Sequence, residues 1–188
     1  MYVGFSEWTA EQIAHGLKIQ DQRGYNRFVS SQPQYSALWR VIEAEVVPLS
    51  QREGIGQIVW SPMAQGVLTG KYLPGKKAPA GSRATDKKSG AAMISRWMKD
   101  DVLEAVQLLK PIAESVDLSM SQMALAWVLQ NPNISSAIMG ATKPAQIKDN
   151  VKASGVKLPP EVMKAIDGAI GKVAERDPKK NVSPNPRP

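Results

Sequence analysis

The sequence predicts an α/β chain of parallel strand–helix units, and three observations carry that prediction. Short apolar runs bounded by turn residues recur at 2–5, 28–31, 55–60 and 134–139. Stretches with helical spacing separate them. The third run, Ile55 to Trp60, is apolar almost throughout, as in strands that a parallel sheet buries on both faces. Strands that alternate with helices pair in parallel through right-handed crossovers.

Taken in order, Tyr2 to Phe5 is the first strand. Thr9 with Gln12 three residues on forms a capping box, and Ile13 and Leu17 continue a helical stripe ending near Gly24. Phe28 to Ser31 is the second strand. Val41 to Glu53 reads as a helix through Val46 and Leu49, although Pro48 argues against an unbroken one. After the third strand comes a Gly/Pro/Lys-rich stretch, 70 to 95. Val102, Val106, Leu109, Ala113 and Val116 then recur at steps of four and three, the mark of an amphipathic helix.

Ser119 and Gln122 repeat the capping box and open a helix through Met123, Trp127 and Val128 that stops before Pro132. Ile134 to Met139 is the fourth strand. A helix over 144–153 carries Pro144 in its first turn, where a missing N–H costs little, and a last helix runs from Pro160 to Val173. Residues 1–174 are expected to form one unit. Residues 175–188, with four prolines, are expected to be a flexible tail.

The 188 residues, 43% of them apolar, suffice for one globular core. With no cysteine, no charged-then-apolar leader and no apolar run near 18 residues, the expectation is a cytoplasmic chain without disulfides, export signal or membrane span. One histidine and no cysteine leave no metal-ligand pattern. The net charge of +7 has a single source: Lys71, Lys76, Lys77, Arg83, Lys87, Lys88, Arg96 and Lys99 face only Asp86 between 71 and 99. Such a loop suits a small anionic ligand or simple solvation. Nucleic acid is not expected, because base-stacking aromatics and a helix-turn-helix or zinc spacing do not accompany the charge.

A four-stranded parallel sheet could stand as an open layer or form half of an eight-stranded barrel. Polar and aromatic residues directly after the strands, Ser6-Glu7-Trp8, Gln32, Trp60-Ser61 and Gly140-Ala141-Thr142, favour the barrel, whose strand ends share one functional rim. Two of those ends look chemically equipped. Val59 to Lys71 and Ile138 to Asn150 each run from a strand into a glycine-bearing turn, and the second opens a helix. Backbone N–H groups and a lysine then lie where phosphate can be held.

From Tyr2 to about Ile170 the residues resemble the aldo-keto reductase family, in the branch that includes voltage-gated potassium channel β subunits and related bacterial oxidoreductases. The marks are Val3-Gly4-Phe5-Ser6, Gln32 with Tyr35, Trp60-Ser61-Pro62 through Gly70-Lys71-Tyr72, Ser82-Arg83, Ala124-Leu125-Ala126-Trp127, and Gly140-Ala141-Thr142 with Gln146 and Asn150. The resemblance implies a (β/α)8 TIM-type barrel, of which this chain would be strands five to eight, and the cofactor NADP(H).

Position by position, it implies that Ser6 and Gln32 hold the nicotinamide carboxamide and that Trp60 stacks on its ring. Ser61, Pro62, Met63, Ala64, Gln65 and Gly66 would wrap the pyrophosphate, with Lys71 and Arg83 as counter-charges from a loop folding over the cofactor. Gly140, Thr142, Lys143 and Gln146 would face the adenosine 2′-phosphate, and Asp149 and Asn150 the adenine. The cations near that phosphate favour NADPH over NADH. Glu7 stands where many members have Asn or Arg, and is left out of the expected site.

The family's catalytic Asp, Tyr, Lys and His lie on earlier strands, so no catalytic residue is assigned to this chain. His15, the only histidine, reads as a helix-surface residue. Trp127 reads as core, and the methionines as packing. Two readings follow. In one the chain is the NADPH-binding half of a reductase acting on an aldehyde or ketone, partnered by a complementing first half or a second copy. In the other it is a non-enzymatic module that binds nucleotide or protein.

Overall fold

The computed structural model describes residues 1–181. The first strand–helix unit forms where the sequence places it. β1 (Val3–Phe5) leads to Thr9, whose hydroxyl accepts the Gln12 N–H at 3.2 Å while the Gln12 side chain accepts the Thr9 N–H at 2.9 Å. That box opens α1 (Ala10–Arg23), which buries Ile13 and Leu17 and ends on Gly24 in the left-handed conformation at φ 67°. His15 lies on its exposed face. A Cβ at Gly16 would come within 2.9 Å of both the Phe28 and Trp8 rings, which explains a glycine in mid-helix.

β2 (Phe28–Ser31) follows, then α2 (Val46–Glu53) and β3 (Gly56–Trp60). The helix expected from Val41 begins five residues later than the sequence suggests, with 41–45 forming turns. Pro48 gives the reason: it has no N–H to donate to residue 44, so it fits only the first turn of a helix that starts at Val46. β3 buries Gln57 and Val59 fully and the intervening residues partly, so burial alternates along it where the sequence suggested burial on both faces.

The basic stretch 70–95 contains more structure than its composition indicates: a 3₁₀ turn at Arg83–Thr85 and α3 (Gly90–Ile94). Asp86 organises it, accepting the N–H groups of Lys88 at 3.0 Å and Gly90 at 3.1 Å, which lowers the pKa of its carboxyl. The long helix expected over 102–116 is two, α4 (Asp100–Gln107) and α5 (Leu109–Glu114). Pro111 cannot donate to Gln107, and the break falls there.

α6 (Met120–Leu129) has the predicted Ser119–Gln122 box and leads to β4 (Ile134–Ile138), α7 (Pro144–Asn150) and α8 (Pro160–Ile170). Residues 175–181, part of the stretch expected to be a tail, are hydrogen-bonded to the rest of the chain. Glu175 N–H donates to the Leu38 carbonyl at 2.9 Å, the Glu175 carbonyl accepts from Arg40 at 2.8 Å, and the Asn181 side chain donates to the Trp8 carbonyl at 2.7 Å. The rest of that expected tail, 182–188, lies outside the described residues.

All four strands are parallel, in the order β1-β2-β3-β4. With right-handed crossovers, consecutive neighbours without a reversal place their helices on one face, which is the arrangement along a barrel wall and not that of a doubly wound layer. The core includes Trp127, 4% exposed, under the Arg40 guanidinium at 4.5 Å. Among the described residues no helix is long and apolar enough to cross a membrane.

Candidate functional site

The carboxyl ends of β3 and β4 open onto one cleft of about 500 Å³. The β3 side supplies Trp60, Ser61, Pro62, Met63, Gln65, Gly66 and Thr69. Left-handed backbone at Ser61 (φ 55°), Ala64 (φ 47°), Gln65 (φ 60°) and Gly66 (φ 95°) winds this segment into a tight turn at the strand end. Gly66 suits the turn through its φ, which disfavours any side chain; a Cβ there would only reach ordinary contact with the Lys71 ammonium, at 3.4 Å.

The β4 side supplies Ile138 to Thr142, then Gln146, Asp149 and Asn150 from α7. Gln146 folds back on the turn, its side-chain carbonyl accepting the N–H groups of Thr142 at 2.8 Å and Lys143 at 3.1 Å. Asp149 is held by the Gln122 amide at 2.8 Å. Across the mouth lie Lys71, Ser82 and Arg83. Arg83 donates to the Gln65 side-chain carbonyl, and the Gln65 amide donates to the Ser61 hydroxyl at 2.5 Å, so a polar chain links the basic loop to the β3 turn.

Most of the expected site residues therefore converge, and four do not line the cleft. Ala64 is fully buried, with its N–H given to the Ser61 carbonyl at 2.9 Å. The Gly66 N–H is likewise engaged by Met63 at 2.9 Å, so this turn offers fewer free amides than a phosphate wrap along its length would need. Lys143 is exposed beyond the lining. Ser6 and Gln32 meet each other at the β1 and β2 ends, the Ser6 hydroxyl donating to the Gln32 carbonyl at 2.6 Å, outside the cleft.

Of the eight loop cations only Lys71 and Arg83 line the site; Arg96 instead covers the Trp39 ring at 4.7 Å. Met93, read as packing, is 47% exposed and lines the cleft. Ser82, marked in the sequence with Arg83 but given no role, joins it, as do Thr69, Ser121 and Met139, none of them assigned a role from the sequence.

Glu7, outside the expected site, lies against it. It is 8% exposed, and its Oε1 accepts the Gln34 N–H at 2.5 Å and the Trp60 indole N–H at 2.8 Å. Burial raises the pKa of its carboxyl, while the two donated hydrogen bonds work in the opposite direction. Among the described residues no tyrosine or histidine lines the cleft. Tyr35 is buried and donates to Glu43 at 2.7 Å, with its hydroxyl pKa raised by burial and by the Glu43 charge. Among the described residues no cluster of metal-ligating side chains occurs.

A parallel βα arc with a cleft at the carboxyl ends of adjacent strands is the architecture of a βα-barrel wall. The chain belongs to the aldo/keto reductase family, whose model matches residues 1–170. It is 41% identical over 172 residues to a rice protein named probable voltage-gated potassium channel subunit beta, covering 90% of this chain and 52% of the relative. A fission yeast protein named putative voltage-gated potassium channel subunit beta is 43% identical over 170 residues, 88% of this chain and 49% of its own length. Protein tas of Escherichia coli is 34% identical over 166 residues, 88% and 46% respectively. The chain spans about half the length of these curated relatives.

Proposed function

We propose that the cleft binds NADP(H) and that the protein, in a complete barrel to which this chain contributes strands five to eight, transfers hydride between that cofactor and an aldehyde or ketone. The observation carrying this is the meeting of a half-buried Trp60, the Ser61–Gly66 turn, two cations and the Gly140–Asn150 segment on one cleft. Its dimensions and donors suit a dinucleotide: an open approach at Gly140, where a Cβ would meet nothing within 4 Å, and ammonium and guanidinium groups opposite the β3 turn.

Trp60 offers an aromatic face to a flat ring. Lys71, Arg83 and the Ser61 hydroxyl neutralise and orient the pyrophosphate, and the Arg83–Gln65 bond draws the basic loop over it. Asn150, with Asp149 fixed by Gln122, borders the adenine end. Gln146 and Thr142 border the 2′-phosphate, and the exposed Lys143, next in sequence but outside the lining, adds positive charge near it. Ser6 and Gln32, at the ends of β1 and β2, serve the carboxamide. The bound cofactor supplies a hydride for a carbonyl carbon; the proton donor comes from the strands that complete the barrel, whether from an N-terminal half or another chain.

Supporting a second reading, a non-enzymatic nucleotide- or protein-binding module, are the names of two relatives, both named as channel β subunits. Calorimetric titration with NADPH and NADH, followed by single-turnover oxidation of bound NADPH with an aromatic aldehyde, separates the two. Binding without oxidation by the complete barrel selects the module. No binding of either nucleotide overturns both the cofactor and the reaction.

A further inference from the structure

We infer that Glu7 is a positioning residue for Trp60: its buried carboxylate fixes the indole in the orientation that presents one ring face to a flat heterocycle in the cleft. This rests on the dinucleotide reading above and adds to it a residue that contacts no ligand.

The geometry is over-determined. The Trp60 backbone is clamped by the segment after β2, donating to the Pro33 carbonyl at 3.1 Å and accepting from Tyr35 N–H at 3.2 Å. Glu7 ties the side chain to that same segment, because one oxygen takes both the Gln34 N–H and the indole N–H. Three successive strand ends therefore meet at a single carboxylate. An indole has one donor and no acceptor, so a ring flipped about its χ2 axis loses this bond.

The choice of a carboxylate also needs a reason. Among the described residues no ion pair includes Glu7, and burying a charge without a cation is costly. The backbone is in the left-handed region, at φ 54°, where a side-chain residue is strained. Packing alone does not require this: Trp39, Trp97 and Trp127 bury indole N–H groups with no hydrogen-bond partner among the described residues. A charge-assisted bond is roughly twice as strong as a neutral one, which suits a ring that must hold its pose at a half-open site.

The test uses the complete protein with ¹⁵N-labelled indoles, the chain's five tryptophans giving resolvable signals and Trp60→Phe identifying that of Trp60. Glu7→Met keeps the length and removes the acceptor; Glu7→Gln keeps an acceptor. Expected is Trp60 indole hydrogen exchange faster by roughly tenfold or more in Glu7→Met and close to wild type in Glu7→Gln.

Binding of two probes separates positioning from general damage. NADPH affinity should fall roughly tenfold in Glu7→Met and be largely rescued in Glu7→Gln, whereas adenosine 2′,5′-bisphosphate, which keeps the adenine but lacks the nicotinamide assigned to Trp60, should bind within about twofold of wild type. Unchanged Trp60 exchange, or equal loss for both probes, overturns the inference. If wild type binds neither probe while exchange behaves as expected, the dinucleotide reading fails and the stacking role with it, although the anchor itself stands. Should Glu7→Met not fold, Glu7→Gln in a Trp60→Phe background must leave NADPH affinity unchanged; a further loss there also overturns it.

Discussion

Truncating Trp127 tests whether this tryptophan, on α6, serves a different purpose from Trp60 at the end of β3. Trp127 is 4% exposed, with the Tyr35 ring centroid at 5.3 Å and the Arg40 guanidinium at 4.5 Å. Removing such a ring costs about 3–5 kcal/mol through lost transfer energy and the cavity left behind. Arg40 is itself 3% exposed, so its loss of the ring face adds about 1–2 kcal/mol. Trp127→Ala should therefore lose about 5 kcal/mol, lowering the melting temperature by roughly 10–20 °C for a chain of this size.

Trp127→Phe should cost only about 1 kcal/mol, because it keeps an aromatic face under Arg40 and deletes an indole N–H that has no partner among the described residues. Urea unfolding followed by circular dichroism gives both numbers, and NADPH titration of each folded variant should match wild type. A Trp127→Ala loss below about 2 kcal/mol, or a selective fall in NADPH affinity, would refute the placement of this ring in the core.

Lys71→Met and Arg83→Met should each weaken NADPH roughly tenfold, with a shallower salt dependence by calorimetry; both side chains are exposed, which keeps the effect at the low end for charge-assisted contacts. Gly66→Ala should lose about 1–2 kcal/mol of stability in urea, because alanine resists φ 95°, and should also reduce cofactor affinity. Glu7, its pKa raised by burial, binds its proton more tightly in the folded state. Its contribution to stability is thus complete below the ordinary carboxylate range and is lost as pH rises through the folded-state value. Glu7→Gln should flatten the pH profile of the urea midpoint in that interval, and an unaltered profile would contradict the burial.

Local chemistry was legible where it was self-contained. The Thr9–Gln12 and Ser119–Gln122 boxes announce α1 and α6 because both partners lie within one turn. The proline effects were legible in kind but not in position: Pro48 allows a helix to start at Val46, and Pro111 divides one apolar stripe into two helices. Glu7 escaped because its partners are 27 and 53 positions away, and no local pattern encodes an acceptor shared across strands. Lys143 shows the converse, since sequence proximity to the Gly140 turn did not bring it into the cleft lining.

The order of strand and helix, the family, and the two glycine-bearing turns were determined by the sequence itself, through periodicity, capping residues and short motifs that act over a few positions. Which amides remain free in those turns, which two of the loop's cations reach the cleft, and that a buried carboxylate grips Trp60 were decided only by tertiary structure. The physical reason is range: backbone propensity acts between neighbours, whereas burial and hydrogen-bond satisfaction depend on what the completed fold brings within about 3 Å.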